Sequence, residues 1–442
     1  MVSVNAALLA VLPVLALAAC LLRPRRTRVR TAYDSANARQ AAIVAATPSL
    51  SRYRAPRALF FGGSVHTVLA SVRRRRPAPK CEYDRELFVQ ALDGGTNALD
   101  WLRPRGGGGA RGRPGAPVLV ILHGMVGGSQ ERYAQHAARA FLDAFEAEGG
   151  AAVVFTARGC SQSPVTSAQV FCAADTSDFR AVVAALRARL GPDSPIFACG
   201  FSLGGCLLSK YVCEEGRRCG LAAAVACAAP FDLSASARML EQEAIGYRFW
   251  NRLVLGPSLV NYVRRNRRAL EAAVAARPIA KTPHPSEGQF AAPRTATSPR
   301  KELRREMDIE ACLRGKTCRD YDNAIVAPAF GYADAEAYYR DAATTRRFQS
   351  EVAIDFLVLH AKDDPVAGSA FLPPEEAFTR TGSRSILAMT DEGGHLGWCK
   401  EEDMLGPPWE SQVIVEYCSA ILAQRRADQQ GRGAESGARA RR

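Results

Sequence analysis

The pentapeptide Gly200-Phe201-Ser202-Leu203-Gly204 follows directly on the apolar run Pro195-Ile196-Phe197-Ala198-Cys199. The run reads as a short buried strand, and a serine between two glycines at its end reads as a sharp strand-to-helix turn. Such a turn puts its central residue in strained backbone, and the flanking glycines leave space where larger side chains would collide with neighbouring elements. The serine hydroxyl is lifted clear of the sheet. A chain built around this turn is bound to an architecture in which strands end at a common edge and feed helices.

The rest of the chain agrees with that architecture. Continuous apolar runs recur at 118–122, 151–155, 195–199, 222–226, 355–359 and 385–389, as strands buried on both faces require. Between several of them, residues 132–147, 177–190 and 203–214 place apolar side chains at three-to-four spacing, the helical period. Strand and helix in alternation predict an α/β fold with a mostly parallel central sheet and helices on both faces, and sites on such sheets form at the carboxyl ends of the strands. Residues 86–90 and 98–101 flank Asp93-Gly94-Gly95 and predict a hairpin. The alternation breaks at about 232–349, which predicts an inserted helical cap interrupted by a Pro- and Thr-rich disordered insertion at 283–300.

The chain has 442 residues, 48% of them hydrophobic, so that about 320 to 350 are left for folded structure once the polar ends are set aside. We expect one domain over 81–424, preceded by a basic linker and N-terminal segment over 24–80 and followed by an unstructured basic tail over 425–442. The formal charge of +14 would suggest nucleic-acid binding if it were spread over the fold. Three clusters, at 23–30, at 73–76 and from 425 to 442, carry thirteen of those charges, and the remainder is nearly neutral. The basicity therefore points to a membrane surface and a tail, and a nucleic-acid partner is not expected. Thirteen cysteines without a C-x-x-C pair show neither zinc spacing nor a disulfide ladder, and suit a reducing compartment.

Residues 2–22 are apolar apart from Ser3 and Asn5 and run straight into the arginine cluster. Their length suffices to span a bilayer, and the charge follows the apolar stretch where a cleaved signal peptide carries it in front. We expect a single-pass N-terminal membrane anchor over 1–23 with the folded domain on the cytoplasmic side; a targeting segment removed on import is the alternative.

A serine hydroxyl becomes a useful nucleophile only when a base takes its proton and a third group orients that base. Downstream of Ser202, the loop Gly393-Gly394-His395-Leu396-Gly397 offers His395 as the base, and the turn Lys362-Asp363-Asp364-Pro365 after a strand-like run offers an acid. The order is serine, aspartate, histidine. Of the two aspartates, Asp364 is favoured because an Asp-Pro turn after a strand holds its carboxylate outward, which leaves Asp363 to stabilise the turn or a neighbouring amide. Backbone amides of Met125, in the loop from His123 to Gly128, and of Leu203 are the expected oxyanion donors. His123 is assigned to holding its loop. Arg158 is read as either a pocket-rim residue or half of a structural ion pair, and Tyr338 and Tyr339 as cap packing or substrate contacts.

With these pieces in place the chain resembles the alpha/beta-hydrolase superfamily. Within it, the chain is similar to the YheT-like, embryogenesis-associated group, which includes membrane-anchored phospholipases and medium-chain esterases or acyltransferases. The resemblance rests on the segments named above together with Ala157-Arg158-Gly159-Cys160, Asp175-Thr176-Ser177-Asp178, Tyr321-Asp322, Gly331-Tyr332 and Tyr338-Tyr339. It implies Ser202 as nucleophile, an aspartate of the pair as orienter, His395 as base, and no metal or organic cofactor. The expected activity is hydrolysis of short- or medium-chain acyl esters such as acylglycerols or phospholipids through an acyl-enzyme. The alternatives are acyl transfer to an alcohol, or a catalytically silent membrane scaffold of the same fold.

Overall fold

A computed structural model describes residues 28–56, 62–73, 81–107, 109, 111–242, 245–276, 306–404 and 406–439. Nine strands form one sheet: β1 (Val29–Ala32), β2 (Tyr83–Val89), β3 (Thr96–Leu102), β4 (Val118–Leu122), β5 (Ala151–Thr156), β6 (Ile196–Phe201), β7 (Ala223–Cys227), β8 (Asp355–Ala361) and β9 (Ser385–Thr390), in the order β1-β9-β8-β7-β6-β4-β5-β3-β2. The ladders from β5 through β4, β6, β7 and β8 to β9 are all parallel, so the ends of β4, β6, β7 and β8 share one edge of the sheet. Antiparallel pairs close both flanks, with β2 and β3 forming the hairpin that the Asp93-Gly94-Gly95 turn predicts.

The apolar runs became strands because both of their faces are covered. In β4, Leu119 and Ile121 enter one core, and Val118, Val120 and Leu122 enter the other. The long helices are α1 (Ala38–Ala45), α2 (Gly63–Arg73), α3 (Arg132–Phe145), α4 (Ser177–Leu190), α5 (Leu203–Glu215), α6 (Leu233–Glu241), α7 (Gly256–Ala275), α8 (Ala335–Ala342) and α9 (Trp409–Arg439). Phe141 and Leu142 of α3 and Val413, Ile414 and Tyr417 of α9 fill the first core. Phe179 and Val182 of α4 and Leu207, Leu208 and Tyr211 of α5 fill the second. Fully burying one Phe or Leu contributes about 1.5–3 kcal/mol, so two such layers fix the sheet against slippage. A third cluster, including Tyr262, Ile325 and Tyr338, belongs to the cap that is inserted between β7 and β8.

Two expectations about the ends are corrected. The segment 24–80 is not simply a linker, since β1 pairs antiparallel with β9 from Val29↔Thr390 to Ala32↔Leu387, and α1 and α2 pack on the domain. The sequence Val-Arg-Thr-Ala carries no apolar run, and only the open edge of β9 makes a strand of it. The tail expected to be unstructured from 425 continues α9 to Arg439. Its Ala, Gln and Arg content favours helix, and ion pairs from Arg426 to Glu148 and from Arg39 to Asp428 tie the first turn beyond 425 to the domain. The anchor expected at 1–23 and the insertion expected at 283–300 lie outside the described residues. Among the described residues no helix is long and apolar enough to cross a membrane.

Candidate active site

Ser202 sits between β6 and α5 with φ +52° and ψ −122°, a conformation that a residue with a side chain adopts only under strain. Its own amide donates to the Cys227 carbonyl at 2.9 Å, which ties the turn to the neighbouring strand. Gly204 shows why the pattern needs glycine, because a Cβ there would lie 2.4 Å from the His123 carbonyl oxygen and 2.5 Å from that of Leu122. The helix entering α5 therefore passes hard against the end of β4, and the serine hydroxyl is left pointing off the sheet edge.

The loops after β8 and β9 bring the other two side chains to the same point. The Ser202 hydroxyl lies 2.8 Å from His395 Nε2, while His395 Nδ1 lies 2.9 and 3.1 Å from the two carboxylate oxygens of Asp364. Asp364 is held in turn by the amides of Val366 and Ala367, which donate to its Oδ1 at 2.8 and 2.9 Å. Burial by itself would raise the Asp364 carboxyl; the facing His395 imidazole, with His360 and the Ala367 amide, holds it below the usual carboxylate range. Asp363 has a different place. Its Oδ1 accepts the Gly394 amide at 2.8 Å, its Oδ2 is buried without a hydrogen-bond partner among the described residues, and burial raises its carboxyl. Two adjacent carboxyls are thus pushed in opposite directions by their surroundings, and the one held low faces the histidine.

His123 spans two loops. Its Nδ1 donates to the Gly124 carbonyl at 2.6 Å and its Nε2 accepts the Ala157 amide at 3.0 Å, while burial drives its pKa down to about 4 and keeps the ring neutral. It does not join Ser202 or His395 in any hydrogen bond. The Gly124 amide donates to the Tyr133 hydroxyl at 2.9 Å, and the Tyr133 ring packs 4.6 Å from that of Phe201. Met125 is presented by this loop to the space above Ser202. Leu203 opens α5, so its amide has no acceptor within the helix. Arg158 forms ion pairs with Asp93 and Asp178 at a buried position, with Tyr262 donating to its carbonyl at 3.0 Å, and so joins the β2–β3 hairpin to α4.

Over these groups lies a cavity of about 100 Å³, lined by Ser202, His395, Met125, Leu203 and the apolar side chains of Phe171, Leu240, Leu259 and Val326. Tyr338 and Tyr339 also reach it, so the paired tyrosines serve both packing and cavity wall. Asp322 is the buried acid of this wall. It accepts the Tyr339 hydroxyl at 2.6 Å, and burial raises its pKa to about 7. Asp322 and Asn251 belong to two single-turn π-helices, Asp322–Val326 and Trp250–Leu255, a local widening that recurs at functional sites. Among the described residues no group of three or more metal-type side chains converges.

Several contributors escaped the sequence reading. Tyr133 carries no signal beyond its place on an apolar helix face, and the role of Asp322 as cavity wall follows only from the cap's packing. The largest omission is α2, which lies against the His395 loop although the segment around it reads as basic surface.

Residues 117–375 match the model of the alpha/beta hydrolase fold. The chain is 32% identical over 302 residues to a monoacylglycerol lipase of Saccharomyces cerevisiae, covering 68% of this chain and 58% of that protein. It is 27% identical over 303 residues to a medium-chain fatty acid ethyl ester synthase/esterase of the same yeast, covering 68% of this chain and 61% of the other. It is also 27% identical over 320 residues to the mouse phospholipase ABHD3, covering 72% and 67%. The chain thus spans less than two thirds of the length of the two yeast relatives.

Proposed function

Given that this chain belongs to the alpha/beta hydrolase fold family, we propose that it is a serine hydrolase cutting carboxylic esters, with acylglycerols or phospholipids of short to medium acyl chain as its substrate class. The observation that carries this reading is the continuous hydrogen-bond path from the Ser202 hydroxyl through His395 to the Asp364 carboxylate. An apolar cavity above the serine supports an acyl chain as the bound part, and the names of the lipase, esterase and phospholipase relatives support the same class.

The chemistry follows from the geometry. With its Nδ1 proton donated to Asp364, His395 presents a bare Nε2 that takes the Ser202 proton as the hydroxyl oxygen bonds to the ester carbonyl carbon. The carbonyl oxygen takes up the negative charge and accepts hydrogen bonds from the amides of Met125 and Leu203, the latter at the positive end of α5. As the intermediate collapses, the carbon–oxygen bond to the alcohol breaks and His395 returns the proton to the leaving oxygen. Water then repeats the cycle on the acyl-enzyme and releases the carboxylic acid. An alcohol entering in place of water would give a new ester, the reading favoured by the relative named both synthase and esterase. Residues 2–22 and the arginines behind them would hold the site beside an anionic membrane.

The test is labelling by a fluorophosphonate probe together with hydrolysis of a short-chain acylglycerol. Both are expected to vanish in Ser202→Ala, and retention of either by that variant overturns the proposal. Product analysis with added ethanol separates hydrolysis from transfer.

A further inference from the structure

The helix α2 touches the loop that carries His395 at several points, and its residues lie outside the segment matched by the family model. The Thr67 hydroxyl accepts the backbone amide of His395 itself at 2.8 Å, while donating to the Gly63 carbonyl at 2.7 Å. That proton placement lets the threonine oxygen accept, so these bonds are compatible. Thr67 is 7% exposed. The preceding amide, of Gly394, donates to Asp363 Oδ1 at 2.8 Å. Two consecutive amides at the base of the imidazole are therefore held by acceptors on two different elements, one on α2 and one after β8.

The backbones meet as closely as the side chains. A Cβ on Gly394 would lie 2.2 Å from the Gly63 carbonyl oxygen, and one on Gly397 would lie 2.4 Å from that of His66. Through Ser64 α2 also reaches the cap, where Trp250 Nε1 donates to the Ser64 hydroxyl at 3.2 Å. The helix thus contacts both the cap and the histidine loop. Gly394 has φ +57° and Leu396 φ +58°, so the loop is neither strand nor regular helix, and the Gly397 amide closes it by donating to the Gly393 carbonyl at 3.0 Å.

We propose that Thr67 is a positioning residue for the reaction, which with Asp363 clamps the His395 amide pair and fixes the imidazole at bonding distance from Ser202. This rests on the serine-hydrolase reading. The physical argument is that a proton transfer over one hydrogen bond falls steeply with misplacement, by about a hundredfold for an error near 1 Å. An irregular loop reaches that tolerance only when the supports on either side of it are rigid.

The test compares Thr67→Val and Thr67→Ser in the full chain, with active sites counted by fluorophosphonate labelling so that unfolded protein does not enter kcat. Thr67→Val keeps the shape and removes the acceptor, leaving the buried His395 amide unpaired. We expect kcat per labelled site to fall about 10- to 100-fold, KM to stay within about twofold, and hydrogen exchange of the 393–397 segment to quicken. Thr67→Ser, which keeps the hydroxyl, should retain kcat to within about threefold. A purely structural threonine would lower the melting temperature and leave per-site kcat unchanged. Per-site kcat within twofold of wild type in Thr67→Val, or failure of Thr67→Ser to restore it, overturns the proposal. Labelling of the wild-type chain that persists in Ser202→Ala is a separate result, which overturns the hydrolase reading before either Thr67 variant is compared.

Discussion

Replacing Asp364 by asparagine tests the orienting role with almost no change of shape. In the native site Oδ1 accepts the amides of Val366 and Ala367 at 2.8 and 2.9 Å, and Oδ2 is the nearer oxygen to His395 Nδ1, at 2.9 Å. Both backbone amides are donors, so the carboxamide oxygen of asparagine must occupy the Oδ1 position. Its NH2 group is then forced to the Oδ2 position, where it donates to His395 Nδ1. The ring responds by carrying its proton on Nε2, and the atom 2.8 Å from the Ser202 hydroxyl can no longer accept. A wrong tautomer of this kind in a serine–histidine–aspartate system costs about 10⁴ in kcat, or about 5.5 kcal/mol of barrier. The loss should appear in hydrolysis of a p-nitrophenyl butyrate reporter and in the rate of fluorophosphonate labelling, with the thermal transition little changed because both backbone bonds survive. Asp363→Asn supplies the contrast, since its Oδ1 needs only to accept from Gly394, and it should keep kcat within about tenfold. Asp364→Asn with more than a tenth of wild-type kcat, or an equal loss in Asp363→Asn, would refute the reasoning.

Two further outcomes follow from the geometry of the turn and the cap. Gly204→Ala drives a Cβ to 2.5 Å from the Leu122 carbonyl of β4, which cannot move aside, and should destabilise the fold by about 2–3 kcal/mol, read as a lowered urea midpoint; a wild-type midpoint contradicts the packing described. Asp322 has a folded pKa of about 7 against 3.8 when unfolded, so the folded state holds a proton that the unfolded state gives up and stability is lost as pH rises from 3.8 through 7. Asp322→Asn keeps an acceptor for Tyr339 and has nothing to ionise, so it should be more stable than wild type at pH 8.5, by at most about 4 kcal/mol, and should converge with it near pH 4. A difference independent of pH would show that the carboxyl is not protonated in the fold.

The parts of this protein legible in the sequence are those whose cause is local or periodic. Runs such as 118–122 had to be strands covered on both faces, because five consecutive apolar side chains can be buried only when each face of the sheet has a helix layer, and the structure sends alternate residues of β4 into two cores. The glycines around Ser202 declared a tight turn for the same kind of reason. The choice between Asp363 and Asp364 was only half legible, since loop chemistry favours one, whereas the amides of Val366, Ala367 and Gly394 are what aim the two carboxyls apart.

Tertiary structure alone decided the rest, because the energies involved arise between residues hundreds of positions apart. Residues 29–32 have no strand pattern and are extended only because β9 offers an open edge. Thr67 looks like any threonine in a basic stretch until its hydroxyl is found 2.8 Å from the amide of His395, 328 positions away. The burial that moves Asp322 to about 7 comes from the packing of the cap elements around it. Sequence fixes which groups are present and which local turns they favour; desolvation and hydrogen-bond pairing in the assembled fold determine their orientation and their charge.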